Sequence, residues 1–182
     1  EGCRLAIAAR DEAALEAVAE AIRSTHQVEV IVVPTDVSER AQMDALVDAA
    51  KARLGGVDIL VNNAALERSE RFDESDPEQT AMDLRVNVHA PMYLARLVLP
   101  EMLKAGRGHI VNIASLAGLG ANPHGESYVA SKHAVVGFTR ALRASLKSQG
   151  STVSASSVCP GFVHDVGMFA RKQAANGVTP PA

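Results

Sequence analysis

Short apolar runs alternate with longer amphipathic stretches along the 182 residues of the chain. The apolar runs occupy residues 4–9, 28–33, 57–62, 109–114 and 153–158. Near-continuous apolar runs of this length are typical of strands that are covered on both faces of a parallel sheet. Apolar residues at helical spacing fill the intervals 11–24, 39–54, 77–105 and 127–148. This alternation predicts an α/β fold with a doubly wound parallel sheet, in a single domain over residues 1–182.

Local signals mark the ends of the predicted helices. We expect Ser38 to cap the second helix and Gly55-Gly56 to end it. Asp76 followed by Pro77 predicts an N-cap and a first helical position for the third helix. The pattern is least defined in the tail, residues 167–182.

Composition excludes several classes of partner. The net charge is −3 without a basic block, which favours neither nucleic acid nor an anionic membrane surface. We find no apolar stretch of membrane-spanning length and no signal peptide. The two cysteines, Cys3 and Cys159, are expected to be reduced, and the six scattered histidines lack metal-site spacing. The sequence therefore predicts a soluble cytoplasmic protein without a metal.

Polar motifs follow the predicted strands, where the strands end. Open α/β sheets bind their ligands at the carboxyl ends of their strands, so these motifs predict one site at one edge. Taken singly, each motif has a simpler explanation as a helix cap, a turn or a helix-bending residue. In chain order the motifs are Arg10, Thr35-Asp36-Val37, Asn62-Asn63-Ala64-Ala65, Asn112-Ile113-Ala114-Ser115 and Cys159-Pro160-Gly161-Phe162-Val163.

The most informative pair is Tyr128 and Lys132, four residues apart on a predicted helix and therefore on one face. A nearby cation favours the ionised phenol, so we expect Lys132 to lower the pKa of Tyr128. A phenol tuned in this way suits a general acid/base that serves an alcohol or a ketone. Ser115 ends the fourth predicted strand and is expected nearby. By itself the pair is more typical of a solvated surface than of a catalytic site.

In combination, these motifs resemble those of the classical short-chain dehydrogenase/reductase family, from about residue 4 to residue 163. The resemblance rests on Asp-Val, Asn-Asn-Ala, Asn87 in the third predicted helix, Ser115, Tyr-x-x-x-Lys and Pro-Gly. It implies a Rossmann-like fold, a nicotinamide dinucleotide cofactor and hydride transfer to or from a small-molecule ketone or secondary alcohol. It also implies a homodimer or homotetramer, formed by the helix that carries Tyr128 and the helix before it.

The resemblance assigns roles to individual residues. Tyr128 would exchange a proton with the substrate oxygen, which Ser115 would hold by a hydrogen bond. Lys132 would lower the pKa of Tyr128 and bind the nicotinamide ribose, and Asn87 would support a water that links Lys132 to solvent. Asp36 would accept from the adenine amino group. Further cofactor contacts would come from Val37, Asn63, Ala64, Pro160, Gly161 and Val163.

Arg10 bears on the choice of cofactor. An acidic residue at the end of this strand would select NAD through the adenosine 2′-hydroxyl, whereas an arginine pairs with a 2′-phosphate. The chain has Arg10 there, so NADP is favoured. Asp11 follows directly and leaves NAD open, either by tolerating it or by starting the next helix instead.

The chain also departs from the family pattern. The first strand and the Gly-x-x-x-Gly-x-Gly turn that cradles the pyrophosphate are absent, so the sheet is expected to be incomplete at the N-terminus. The C-terminal end is short, Ala65 replaces a glycine, and Asp165 replaces a threonine. Two explanations stand: a truncated version of a complete enzyme, or a member that has lost cofactor binding.

Two other functions compete with the dehydrogenase. Sugar-nucleotide epimerases and dehydratases of the extended branch share Tyr-x-x-x-Lys, although Asn62-Asn63-Ala64 and Asn87 favour the classical branch. A non-catalytic dinucleotide-sensing scaffold is the second alternative. Leu116–Ser127 and residues 162–175 are expected to line the pocket, but they do not identify the substrate.

Overall fold

Strands and helices alternate through residues 2–161, the part of the chain that the computed structural model describes. All five predicted strands form, each shorter than the apolar run that predicts it. The helix ends differ from the prediction by at most two residues. The strands are β1 (Leu5–Ile7), β2 (Val30–Val32), β3 (Ile59–Asn62), β4 (His109–Ile113) and β5 (Ser154–Val158). The α-helices are α1 (Glu12–His26), α2 (Arg40–Leu54), α3 (Pro77–Leu84), α4 (Ala90–Ala105) and α5 (Glu126–Ser148).

Every strand pairing in this range is parallel, which confirms the predicted Rossmann-like α/β fold. The strands form two sheets: β1 pairs with β2, and β3, β4 and β5 lie side by side in that order. In the larger sheet Val61 lies opposite Val111, and Ile110 lies opposite Ala155. The carboxyl ends of β3, β4 and β5 therefore meet at one edge.

The main core lies between the larger sheet and helices α2, α4 and α5. Its most deeply buried side chains are almost completely excluded from solvent. Each such apolar side chain contributes about 1.5–3 kcal/mol when it is transferred from water. The core thus holds the larger sheet and its helices together as the support of the edge described above. The side chains are Met43, Val98, Met102, Ile110 and Val153.

Strand β3 differs from the prediction that both faces of each strand are covered. Ile59 and Val61 are 59% and 54% exposed. Alternate residues of a strand share one face, so these two side chains point to a face that the described elements leave open. Within residues 2–161, β3 also has a hydrogen-bonded neighbour on one side only, which is β4. The apolar run forms a strand as predicted, and its open side agrees with the expectation of an incomplete sheet.

The predicted cap of α3 is confirmed, and that of α2 is wrong. Asp76 accepts a hydrogen bond from the N–H of Glu78 at 2.9 Å, and α3 begins at the following proline. At α2 the N-cap is Glu39, which makes no side-chain cap bond. The N–H of Ser38 instead donates to Oδ1 of Asp36 at 2.8 Å, which places Ser38 in the preceding turn.

A π-helical segment, Arg85–His89, interrupts the single helix predicted over 77–105. It joins α3 to α4 without a break in the helical path, and Asn87 lies in its middle with 1% of its surface exposed. A π-turn accommodates one more residue than an α-turn and is often found at functional sites. Here it directs the amide of Asn87 toward the loop after β3 and toward α5.

Candidate active site

Helix α5 is fixed to the end of β4 by a lysine. Nζ of Lys132 donates to the backbone carbonyl of Ile113, the last residue of β4, at 2.9 Å. Only 3% of Lys132 is exposed. A buried amine requires a hydrogen-bond partner, and the free carbonyl at the strand end provides it. This hydrogen bond places the first two turns of α5 over the carboxyl edge of the larger sheet.

Three residues predicted from the sequence meet at this edge. Nζ of Lys132 lies 5.5 Å from the centre of the Tyr128 ring. The side chain of Ser115 forms a hydrogen bond with that of Tyr128. Ser115 itself caps the short 3₁₀ turn Leu116–Gly118, since its side chain accepts from the N–H of Ala117 at 3.2 Å. A hydroxyl, a phenol and an amine thus share one partly buried space.

The pKa of Tyr128 differs from the expectation that Lys132 lowers it. Burial raises the pKa of Tyr128 above its ordinary value, the hydrogen bond with Ser115 lowers it, and the negative charge of Glu67 raises it. Burial also lowers the pKa of Lys132 to about 8, against the opposing influence of Glu67 and Cys159. The amine lies over the ring and bonds to a carbonyl, so desolvation outweighs its attraction for a phenolate.

Asn87 connects the loop after β3 to helix α5. Its Oδ1 accepts from the N–H of Leu66 at 2.7 Å, and its Nδ2 donates to the carbonyl of Leu66 at 2.8 Å. The same Nδ2 donates to Oγ of Ser131 at 3.0 Å, and Ser131 donates to the carbonyl of Tyr128 at 2.7 Å. Asn87 therefore touches the residues around Tyr128 rather than the phenol itself.

A buried polar chain, which sequence reasoning missed, crosses the same edge. Asn62 donates to Oδ1 of Asn112 at 2.8 Å, and Asn112 donates to Oγ1 of Thr139 at 2.8 Å. Thr139 completes the chain by donating to the carbonyl of Val135 within α5. Asn62 and Asn112 were noted as strand-end residues, and their matched positions at the ends of two neighbouring strands were the available signal.

Gly118 was also missed, although it ends the 3₁₀ turn that Ser115 begins. A Cβ on Gly118 would lie 2.7 Å from the backbone carbonyl oxygen of Lys132. Only a residue without a side chain allows the Ser115 turn to approach α5 this closely. The Ser-x-x-Gly spacing directly after a strand was the signal in the sequence.

The ends of β1 and β2 bring Arg10 and Asp36 together. Thr35 N–H donates to the carbonyl of Ala9 at 2.8 Å, which keeps the two strand ends adjacent. The hydrogen bonds from Ser38 lower the pKa of Asp36, and the positive charge of Arg10 contributes in the same direction. This region offers an anionic acceptor, Asp36, and an exposed cation, Arg10, at the ends of two paired strands.

Other predicted cofactor contacts lie at the strand ends where they were expected. Asn63 and Ala64 follow β3 and are exposed. The carbonyl of Pro160 accepts from the N–H of Leu116 at 2.9 Å, which joins the loop after β5 to the Ser115 turn. The prediction for Val163 falls outside the described residues. Among residues 2–161, no three histidine, cysteine or acidic side chains are grouped to hold a metal ion.

Comparisons with known proteins agree on one family. A family model described as short chain dehydrogenase matches residues 1–177. An uncharacterized oxidoreductase of Staphylococcus saprophyticus is 36% identical over 163 residues, which are 90% of this chain and 69% of that protein. The chain spans about half to two thirds of the length of the curated relatives it matches.

Solved structures are similar in both fold and sequence. A short chain dehydrogenase/reductase from Burkholderia phymatum in complex with NAD is 41% identical with a TM-score of 0.84, over 88% of this chain and 57% of that one. A metagenomic short-chain oxidoreductase in complex with NADP is 33% identical with a TM-score of 0.82, over 89% of this chain and 72% of that one. No helix among the described residues is long and apolar enough to cross a membrane.

The approach of Gly118 to α5 gives a prediction on stability. Gly118→Ala should lower the free energy of unfolding by about 1–3 kcal/mol, because the added methyl overlaps backbone atoms that cannot move aside. Gly137→Ala, within α5 where a Cβ meets nothing within 4 Å, is the matched control. It should raise stability by about 0.5–1 kcal/mol through helix propensity. Urea denaturation measures both, and equal effects of the two substitutions would contradict the prediction.

Proposed function

We propose, since the chain belongs to the short-chain dehydrogenase family, that it is an oxidoreductase using NAD(P) that transfers a hydride between nicotinamide and a ketone or secondary alcohol. The observation that carries the proposal is the convergence of Ser115, Tyr128 and Lys132 at the end of β4. These three side chains supply a hydrogen-bond donor, a proton donor and a cation to one space. That combination suits the chemistry of a carbonyl oxygen.

Tyr128 exchanges the proton in this proposal. In reduction its hydroxyl donates to the substrate oxygen as negative charge develops there, and in oxidation its phenolate accepts the proton. Burial raises the pKa of Tyr128 above its ordinary value, so the phenol is protonated at neutral pH and ready to donate. Ser115 holds the same oxygen by a hydrogen bond. The protonated phenol is the form of Tyr128 that reduction requires.

Lys132 supports the proton transfer from its position over the ring of Tyr128. With a pKa of about 8, its amine carries a positive charge at neutral pH and stabilises the phenolate that remains after proton donation. Its partner on the sheet is the Ile113 carbonyl, which holds the amine in place between turnovers. Asn87 maintains the position of the helix through Ser131 and has the proposed role of supporting a water that links Lys132 to solvent.

The described residues fit a nicotinamide dinucleotide at its adenosine end and at its nicotinamide end. The adenosine end offers Asp36 as acceptor for an amino group, and Arg10 beside it as partner for a 2′-phosphate, which favours NADP over NAD. The nicotinamide end offers Lys132 for the ribose hydroxyls. When bound, the cofactor supplies the hydride. The other residues that we propose as cofactor contacts are Val37, Asn63, Ala64, Tyr128, Pro160, Gly161 and Val163.

The surroundings of the site favour an apolar small molecule as substrate. Leu116 and Leu119, in and after the Ser115 turn, are 54% and 53% exposed. Large apolar side chains exposed beside a polar site commonly mark a ligand surface. Both cysteines of the chain are free thiols, which agrees with the proposal of a cytoplasmic protein.

Replacement of Tyr128 tests the proposed reaction. NADPH and NADH oxidation by the protein should be measured against a panel of ketones and diketones. For any ketone that is reduced, Tyr128→Phe should lower kcat/KM by at least about a hundredfold, because the proton donor is lost. Tyr93→Phe, the only other tyrosine of this sequence, is the matched control and should retain most of the activity. Turnover that survives Tyr128→Phe would overturn the proposed role.

Replacement of Arg10 tests the choice of cofactor. Arg10→Ala should weaken NADPH binding by about ten- to a hundredfold, the usual value of a charge-assisted hydrogen bond to phosphate. NADH binding should change little, so the preference between the two cofactors should narrow or reverse. Fluorescence titration with each cofactor measures both constants. Arg4→Ala, at the amino end of β1, is the control. Equal loss for both cofactors would contradict the assignment of NADP.

We further propose a homodimer or homotetramer formed through helices α4 and α5. A groove of about 310 Å³ runs between these helices on the outer surface of the protein. Met92 and Leu103 on α4 remain 44% and 39% exposed, which leaves an apolar strip larger than isolated surface residues would form. The groove is lined by Met92, Ala95, Arg96, Leu99, Pro100, Leu103, Phe138 and Leu142.

A charge in this groove should separate the subunits. We expect Met92→Glu to convert the dimer or tetramer into smaller species, because a carboxylate would lose its hydration in the contact. Val18→Glu, at a 52% exposed apolar position of α1, should leave the assembly intact. Light scattering coupled to size exclusion measures the mass of each variant. A monomeric mass for the unmodified protein would overturn the proposal.

A further inference from the structure

We propose that Asp83 is a positioning residue of the active site: through its buried ion pair with Arg68 it fixes the loop after β3, residues 63–71, as a wall of the substrate pocket beside Tyr128. This role rests on the oxidoreductase reaction proposed above, and it falls to a residue outside the motifs from which that reaction was inferred. The contact between Arg68 and Asp83, the burial of Asp83 and a small cavity beside α5 support it.

The ion pair joins the loop after β3 to helix α3. Nε of Arg68 donates to Oδ1 of Asp83 at 3.1 Å, and the side chain of Asp83 is 1% exposed, against 35% for that of Arg68. The second oxygen of Asp83, Oδ2, is also buried and makes no hydrogen bond within residues 2–161. A buried carboxylate is strongly destabilising without a cation beside it. Asp83 therefore holds the guanidinium, and the loop with it, in one place.

Asp83 and Asn87 bind the loop from the same helical path. They lie four residues apart, in α3 and in the π-helical segment that continues it, and each has at most 1% of its surface exposed. Asn87 binds both backbone groups of Leu66, at 2.7 and 2.8 Å, and Asp83 binds the side chain of Arg68. Two contacts at alternate residues fix the direction of the loop as well as its position.

The same part of the loop faces the start of α5. The N–H of Glu70 donates to the carbonyl of His124 at 3.0 Å, two residues before α5 begins. A cavity of about 10 Å³, enough for roughly one water, lies between the loop and α5. Arg68 lines this cavity together with Ser127, which directly precedes Tyr128. The side chain of Arg68 is therefore separated by a narrow gap from the turn of α5 that carries the phenol.

The reacting groups are held by contacts outside the ion pair. Lys132 is bonded to the end of β4, and Ser115 caps its own turn. The proposed cofactor contacts of the loop, Asn63 and Ala64, come before Leu66, which is anchored separately. Loss of the ion pair should therefore leave the acid/base chemistry and the cofactor site in place and loosen only the wall beside the phenol. This predicts a higher KM for the ketone at an unchanged kcat.

The test replaces both partners of the ion pair with apolar residues. Exchange of a buried ion pair for apolar residues of similar volume often retains stability, so Asp83→Leu combined with Arg68→Met should melt close to the unmodified protein. For a ketone of the panel that is reduced with NADPH, KM should rise at least about fivefold and kcat should change less than about twofold. NADPH affinity, measured by fluorescence titration, should stay the same. A purely structural role would return KM to its original value once stability is retained.

Hydrogen exchange tests the same role without cofactor or substrate. In the double variant the amides of residues 66–70 should exchange at least about tenfold faster, because one of the contacts that hold the loop is lost. Amides of β4 and of the second half of α5 should keep their rates, because the apolar core holds these elements. Mass spectrometry of peptic fragments measures both regions.

The matched control is the exposed ion pair of Arg71 with Asp73, which are 2.7 Å apart with 60% and 67% of their side chains exposed. Exposed pairs contribute little, so Arg71→Met combined with Asp73→Leu should leave KM and the exchange of residues 66–70 unchanged. Asp83→Asn is a second test variant, because it keeps the shape and an acceptor for Arg68 while it removes the charge. It should change KM and exchange in the same direction as the double variant, by a smaller factor.

The outcomes separate this proposal from the proposed function. Unchanged exchange of residues 66–70 in both Asp83 variants overturns the role of Asp83 whatever the reaction is, and so does an equal change in the control. Faster exchange confined to the Asp83 variants, with KM raised and kcat retained, supports the role. Faster exchange with an unchanged KM, or a loss of kcat alone, overturns it. The effect of Tyr128→Phe on turnover decides the reaction independently, since exchange is measured without ligands.

Discussion

One buried amide, that of Asn87, joins the loop after β3 to helix α5, which carries Tyr128 and Lys132. It uses its acceptor and its amino group in hydrogen bonds to Leu66 and Ser131, and 1% of its surface is exposed. Buried polar networks are stable when every member is satisfied and costly when one is not. The π-helical segment makes this possible, because its extra residue turns Asn87 inward from a helix whose other inward positions face the core. The loop after β3 and helix α5 are therefore positioned by the same group.

Two buried asparagines help to set the register of the larger sheet at the edge that carries the site. Asn62 and Asn112 lie directly opposite each other in the parallel pairing of β3 with β4, and their side-chain amides are bonded. A shift of register here would leave buried amides without partners, in addition to turning apolar side chains away from the core. The hydrogen bond of Asn112 to Thr139 extends the constraint to α5. The alignment of the strands and of α5 at this edge thus depends on a few polar residues, whereas the apolar core beneath them stabilises the fold.

Sequence patterns sufficed for features that depend on local chemistry. The apolar runs located all five strands, the Asp76-Pro77 pair located the start of α3, and helical spacing placed Tyr128 with Lys132. Features that depend on surroundings were missed. The periodicity over 77–105 is continuous, so nothing in it reveals a π-turn. The exposure of β3 depends on what lies beside it. The raised pKa of Tyr128 follows from burial, which spacing along the chain does not report.

The side chain of Asn87 contacts only main-chain atoms of Leu66. These atoms are common to every residue, except that proline lacks the N–H. Side chains at positions 66 and 67 can therefore be exchanged while the path of the loop beside the acid/base pair is retained. The loop therefore has a fixed backbone and replaceable side chains. New selectivity is then accessible through single substitutions at these positions that leave the path of the loop unchanged.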